Sequence, residues 1–259
     1  MIPIRANGAI VTGAASGVGR VTCERLGRDG WELTLVDVDG DALSDIAAVL
    51  ARAGVSVRGQ VVGDVSDPAC AARAVAMCDD EGGGMGVLVN SAAVLRLGSV
   101  VDLSIEDWDR VIAVNLRGTF LMMKAAVPRL RERGAGSIVN VASVDALVAE
   151  PNLAAYCASK GGVLMLTRAA AVDHAREGIR INCVCPGAID TPFLRSVTDR
   201  TDDPAGTLRT VAARHPFGRL LTPGDVADVI AYLVSDQAAA IVGAGLVVDG
   251  GLSATWQYA

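Results

Sequence analysis

The feature that most constrains this chain is an alternation running its whole length. Short, β-branched apolar runs take turns with longer stretches of helical periodicity. The runs fall at 9–12, 32–36, 55–62, 87–89, 137–142, 180–184 and 245–248, and most are too short to complete a helix. Between them lie helical patterns at 18–28, 41–53, 68–81, 105–133, 153–177 and 223–235. A parallel strand pair needs a crossover long enough to hold a helix, so this order predicts a parallel sheet covered on both faces. With 51% apolar and only 3% aromatic residues, the core must be built from Ala, Val, Leu and Ile, as in strands buried on both sides. No repeat, low-complexity tract or Pro/Gly/Ser linker divides the chain. The expectation is one α/β domain over 1–259, a doubly wound, Rossmann-like sheet of seven parallel strands.

A formal charge of −6 argues against nucleic acid as a partner, because neutralising phosphates requires a basic surface. Small molecules fit better. The six cysteines form no spacing framework and are read as free thiols, and two histidines far apart offer no metal site. The start lacks a secretory pattern and no apolar run approaches membrane-spanning length, which predicts a cytoplasmic protein without a membrane partner. One segment breaks the rhythm. Residues 190–216 carry Thr191-Pro192 and Asp203-Pro204 with weak periodicity, and so long a connection is expected to be a substrate lid, a solvated insertion being the alternative.

After the first strand comes Thr12-Gly13-Ala14-Ala15-Ser16-Gly17-Val18-Gly19, then a helix. Its glycines allow a sharp turn and a close backbone approach to a pyrophosphate, and the helix start adds free N–H groups and partial positive charge. The spacing Gly-x-x-x-Gly-x-Gly is a variant of the dinucleotide fingerprint, in the strand-turn-helix context that fingerprint needs. Gly13, Ser16, Gly17, Val18 and Gly19 are therefore cofactor candidates. Asp37 ends the second strand, eighteen residues past Gly19, where a carboxylate accepts from ribose hydroxyls and repels a 2′-phosphate. Ala14, Ala15 and Val38 supply no basic group for that phosphate, so the expected cofactor is NAD. Helix N-capping suits Asp39 better than Asp37.

Tyr156 and Lys160, at i and i+4 of a predicted helix, share one face. A phenol titrating near 10 is a poor base at neutral pH, and a neighbouring ammonium lowers that value, making the pair a serviceable general acid/base. Ser143 follows the strand at 137–142, where open α/β sheets bind ligands, and Asn115 lies in the preceding long helix.

With these residues in view, the chain resembles the short-chain dehydrogenase/reductase family along nearly all its length. The matching stretches are Thr12 to Gly19, Asp64-Val65, Asn90-Ser91-Ala92, Asn115, Ile138-Val139-Asn140, Ser143, Tyr156 to Lys160, Pro186-Gly187 and Asp249-Gly250-Gly251. The resemblance implies Tyr156 as proton donor and acceptor, Lys160 on the nicotinamide ribose, Ser143 on the substrate oxygen, and Asn115 holding a water on Lys160. It further implies Asp64 and Val65 at the adenine, and Asn90, Ala92, Pro186 and Gly187 along the cofactor groove. Ile189 and Thr191 would meet the carboxamide. It also implies a homotetramer, with the helices at 105–133 and 153–177 as interface. Two departures stand out: Ala93 where the family usually has Gly, and Asp145 where it usually has a small residue.

Asp145 is expected either to face a substrate pocket walled by Leu95, Leu147 and Phe193 or to sit in solvent on its loop. His174 is expected on an exposed helix side and His215 at a turn before Pro216. Trp31, Trp108 and Trp256 are read as packing residues, and the charge run at 129–133 as a solvated helix end. The leading function is hydride transfer between nicotinamide and a secondary alcohol or ketone. The alternatives are reduction of a 3-oxoacyl thioester and, in another class, a non-catalytic NAD-binding regulator. Only 99 residues follow Lys160, which leaves little room for a separate substrate domain.

Overall fold

The structure, a computed structural model, describes residues 6–79 and 84–255. Its seven strands are β1 (Gly8–Thr12), β2 (Glu32–Asp37), β3 (Val57–Val62), β4 (Met85–Asn90), β5 (Gly136–Val141), β6 (Ile179–Pro186) and β7 (Gly245–Val248). They form one sheet in the order β3-β2-β1-β4-β5-β6-β7, every pair parallel. Sequence order reverses between β1 and β4, so helices leave to opposite sides there and a crevice opens at the strands' carboxyl ends.

One face of the sheet is covered by α1 (Gly17–Arg28), α2 (Gly40–Arg52) and α9 (Pro223–Val234), through Leu26, Leu43, Leu50, Ile230 and Leu233. The other face packs against α3 (Pro68–Asp79), α5 (Thr119–Arg133) and α6 (Ala154–His174), through Ala74, Cys78, Met122, Leu130 and Ala171. Asp39 caps α2 by accepting from the Ala42 amide at 3.0 Å, as its position suggested.

Several expectations are corrected. The long helix at 105–133 is interrupted: α4 (Ile105–Val111) runs into a π-helical segment, Ile112–Gly118, before α5. That whole stretch is apolar and long enough to cross a membrane by length and composition, contrary to expectation, but half of its most apolar window is buried in the protein. The segment 190–216 holds two short helices, α7 (Pro192–Thr198) and α8 (Pro204–Ala213), each started by a Thr or Asp cap and a proline. Trp31 packs against the core as expected, whereas Trp108 is exposed and Trp256 lies outside the described residues. His174 is half-buried, its Nδ1 2.9 Å from Glu177. Position 81, the expected end of the third helix, also lies outside the described residues.

A buried guanidinium closes α9. Arg180 on β6 is 3% exposed and donates to the carbonyls of Leu233, Val234, Ser235 and Ala238, at 2.5 to 3.3 Å. Leu233 and Val234 lie in the last turn of α9, where carbonyls lack helical partners and the helix dipole is negative, while Ser235 and Ala238 also accept from the Ala238 and Ile241 amides. Arg180→Met is expected to destabilise the fold by about 3 kcal/mol, since it removes four hydrogen bonds from a charged donor at once and leaves the buried Val234 carbonyl without one. Chemical denaturation measures this, and a loss below about 1 kcal/mol would show the guanidinium to be dispensable.

Candidate active site

The turn after β1 is shaped by glycine. Gly13 has φ +67°, and a Cβ there would sit 2.9 Å from the backbone of Ala92. A Cβ on Gly19 would stand 2.0 Å from the Gly13 carbonyl oxygen, so no side chain is possible where α1 crosses the turn. Thr12 Oγ1 accepts from the amides of Ser91 and Ala92 at 3.1 and 3.2 Å, locking the end of β4 beside the turn. Gly13, Ser16, Gly17, Val18 and Ala92 line one end of a cleft of about 790 Å³. Ser16, at the N-cap of α1, makes no side-chain cap bond. Gly19 does not line the cleft; its place is to let helix and turn touch.

Asp37 lines the same end, its Oδ2 accepting from the Ala15 amide at 3.0 Å and its Oδ1 from the Asp39 amide at 3.2 Å. Asp64 and Val65 follow. Burial works against the Asp64 charge, but hydrogen bonds from Arg110 at 2.5 Å and from Ser66 outweigh it and hold the carboxyl below its ordinary range. Arg110 is thus engaged by Asp64, and no side chain at 14, 15 or 38 is basic. A narrow glycine cradle at a helix start, followed by a carboxylate at the end of the second strand, fits a nicotinamide dinucleotide.

At the other end, Ser143 follows β5 while Tyr156 and Lys160 project from the first turns of α6. Tyr156 is 9% and Lys160 3% exposed. Lys160 Nζ donates to the Val141 carbonyl at 2.8 Å and lies 5.5 Å from the Tyr156 ring centroid. Burial pushes the Lys160 ammonium down to about 8. The expected lowering of the Tyr156 phenol by Lys160 does not appear in the protein alone. Burial and then the Asp145 carboxylate raise the phenol above its ordinary value, against the Ser143 hydroxyl, and Lys160 Nζ makes its hydrogen bond to a backbone carbonyl rather than to the phenol.

Two polar residues expected in the site instead brace its walls. Asn115, in the π-helical segment, accepts from Val94 N at 2.8 Å. Both its amide protons are used, on Val94 O at 2.9 Å and Ser159 Oγ at 3.0 Å, so they are not available to a water on Lys160. Asn90 donates to Asn140 Oδ1 at 2.8 Å, and Asn140 donates to Thr167 on α6 at 2.9 Å. Neither Asn90 nor Asn115 lines the cleft; they hold β4 and the 94–95 wall against the helix that carries Tyr156. Ala93 lines the cleft without left-handed backbone, so its methyl is accommodated.

Pro186, Gly187, Ile189 and Thr191 border the middle of the cleft. Leu95, Asp145 and Phe193 wall its far end, Phe193 with its ring centroid 6.0 Å from that of Tyr156. Leu147 is exposed and outside the cleft, because the short helical turn Val144–Ala146 carries Val144 and Val148 inward in its stead. Helices α7 and α8 border this end with Leu194, Val197 and Val211. Sequence reasoning missed Arg214, ion-paired with Glu150 across the mouth, and His215. Far from opening a simple turn, His215 is buried. Its Nε2 accepts from Ala188 N at 3.2 Å, so the proton sits on Nδ1, which donates to Val211 O at 3.0 Å. The bond to Val211 is a local one of four residues, but the bond to Ala188 spans 27, and no local spacing announces it.

Comparison with known proteins agrees with this geometry. The family described as enoyl-(acyl carrier protein) reductase matches residues 13–253. The chain is 38% identical to 2-(S)-hydroxypropyl-CoM dehydrogenase 3 of Xanthobacter autotrophicus, over 94% of this chain and 95% of that one. It is 41% identical to cis-4-hydroxycyclohexanecarboxylate dehydrogenase of Sinomonas cyclohexanicum, over 95% and 96%. The crystal structure of the actinorhodin polyketide ketoreductase with NADPH superposes with a TM-score of 0.92, at 34% identity, covering 98% of this chain and all of that one. With its parallel sheet, glycine cradle and Ser143, Tyr156 and Lys160 gathered in one cleft, the chain belongs to the short-chain dehydrogenase/reductase family, whose members are hydride-transferring oxidoreductases of alcohols and ketones.

Proposed function

We propose that this enzyme uses NAD, with Tyr156 as general acid/base, to interconvert a compact secondary alcohol and its ketone. The cofactor reading rests on Asp37. A fixed carboxylate in the cleft, already accepting two backbone amides, accepts ribose hydroxyls but meets a 2′-phosphate as like charge. The solved relative with NADPH is the counterweight, and the experiment below decides.

When bound, the nicotinamide supplies or takes the hydride. The chain's own residues manage the proton. In reduction, a neutral Tyr156 donates to the carbonyl oxygen, and its raised pKa keeps that proton in place at neutral pH. In oxidation the phenol must first ionise, so rate rises with pH. The Lys160 ammonium, protonated below about 8, would hold the ribose beside that phenol. The apolar wall of Leu95, Val144, Val148 and Phe193 selects a compact carbon skeleton. Reduction of a 3-oxoacyl thioester is less well supported, since the glycine turn offers no basic side chain to a phosphorylated cofactor. A non-catalytic NAD-binding regulator would have no use for a buried Ser143, Tyr156 and Lys160 in one cleft.

A cytoplasmic homotetramer completes the proposal. Six free cysteines suit a reducing compartment. Phe120 on α5 and Met165 and Val172 on α6 are exposed apolar groups on the helices expected to pair. Sedimentation is expected to give about four chains per particle; a monomer would count against the assembly.

Fluorescence titration is expected to show NADH binding at least about tenfold tighter than NADPH, a difference of about 1.4 kcal/mol. Asp37→Ser combined with Val38→Arg is expected to close or reverse the gap, and equal affinities in the unaltered enzyme would refute the NAD reading. In a panel of secondary alcohols and ketones, Tyr156→Phe is expected to lower kcat by about 10² to 10⁴ while NADH affinity stays within about twofold. Retained turnover would remove Tyr156 as the acid/base.

A further inference from the structure

We propose that Asp145 is a positioning residue acting through Ser143, and that its protonation state decides whether the Ser143 hydroxyl can donate to the oxygen of a bound ketone. The proposal rests on the alcohol/ketone reading of the same site. A serine hydroxyl has one proton and two lone pairs. Here the proton goes to Asp145 Oδ2 at 3.0 Å, and one lone pair takes the Asp145 amide at 3.1 Å. What remains is a lone pair. A ketone oxygen only accepts, so while Asp145 is ionised the second hydrogen bond on the substrate oxygen is missing and two lone pairs face each other. A protonated Asp145 instead donates to Ser143 Oγ, and the hydroxyl proton turns to the ketone.

The surroundings make this change of state accessible. Asp145 lies in the turn Val144–Ala146 and lines the cleft between apolar Val144 and Val148. Burial pushes its carboxyl up to about 6, opposed by the Ser143 hydroxyl. Glu150 on the same loop adds to the rise, and Lys160 of α6 works against it. Tyr156 and Cys157, also on α6, are both pushed up by burial, and the Asp145 charge adds to the rise of each. From the lid, Arg214 is engaged by Glu150. The cleft thus couples a carboxylate, a hydroxyl and a phenol in sequence, and the carboxylate is the member that titrates between acid and neutral pH.

Two measurements test the proposal. In protein carrying carbon-13 at the aspartate carboxyls, one signal is expected to titrate near pH 6 and to vanish in Asp145→Asn. In Ser143→Ala its midpoint is expected to rise, because the donor that favours the charged form is gone. An unchanged or lowered midpoint would overturn the proposal without any turnover being needed. In the second measurement, NADH-dependent reduction of a cyclic diketone is followed from about pH 5 to about pH 8. Wild-type kcat/KM is expected to fall about tenfold per unit above the midpoint, towards a plateau about 10²-fold lower, the usual cost of one lost donor on a reacting oxygen. Asp145→Asn and Asp145→Ala are expected to give flat profiles, and a fall with the wild-type midpoint in both would overturn it. A wild-type enzyme that reduces no carbonyl compound refutes the alcohol/ketone reading instead, and the carbon-13 titration still decides whether Ser143 donates to Asp145.

Discussion

The site is organised by the burial of a single ammonium. Lys160 is almost wholly removed from water, and a charge in that position is tolerated only with a partner. The Val141 carbonyl provides it, at the last residue of β5. That bond pins the start of α6 to the carboxyl edge of the sheet, which sets Tyr156 beside Ser143 and over the crevice where strand order reverses. Asn140, one residue earlier on β5, adds a second tie through Thr167 of the same helix. Sheet and helix are registered by polar bonds inside an apolar core, and the reactive groups are placed by that registration.

The fold was legible because its causes are local or periodic. Seven apolar runs separated by crossover-length helical patterns leave little choice but a parallel sheet, and seven parallel strands are present. The glycine turn was legible because it demands backbone that side chains forbid, as Gly13 and Gly19 show. Tyr156, Lys160 and Ser143 were legible only through the resemblance of several ordered motifs; a Tyr-x-x-x-Lys spacing by itself is ordinary on a solvated helix.

What the sequence did not disclose is long-range. Asn115 and Asn90 carry motif positions, yet their side chains answer to partners 21 to 50 residues away. The π-helical segment at Ile112–Gly118 has no proline or glycine pair to announce it; the widened turn places Asn115 where it can clamp Val94, and such segments commonly occur at functional sites. His215 reads as a loop histidine until the 187–191 segment folds against it. The phenol is the clearest case. Sequence spacing brings an ammonium near it and says nothing of burial, and in the folded protein burial and then the Asp145 charge raise the phenol.

The two ends of the cleft differ in how firmly they are held, and this bears on how one scaffold takes different substrates. The cofactor end is formed by strand ends and by α1, whose buried Leu26 and Cys23 belong to the main core. Each fully buried leucine there contributes about 1.5–3 kcal/mol. The substrate end is closed by α7 and α8, and α8 buries no residue fully. Its ties include exposed ion pairs, Arg195 with Asp190 and Arg214 with Glu150, worth about 0.2–1 kcal/mol each. His215 is the firmer anchor, at the point where residues 190–216 return to the sheet. Phe193 of α7 nevertheless packs on the Tyr156 ring, so the segment reaches the phenol as well as the mouth of the cleft. Variation in α7 and α8 would therefore alter the far wall of the cleft and the setting of the phenol, while the ties of α6 to β5 through Lys160 and Thr167 would remain.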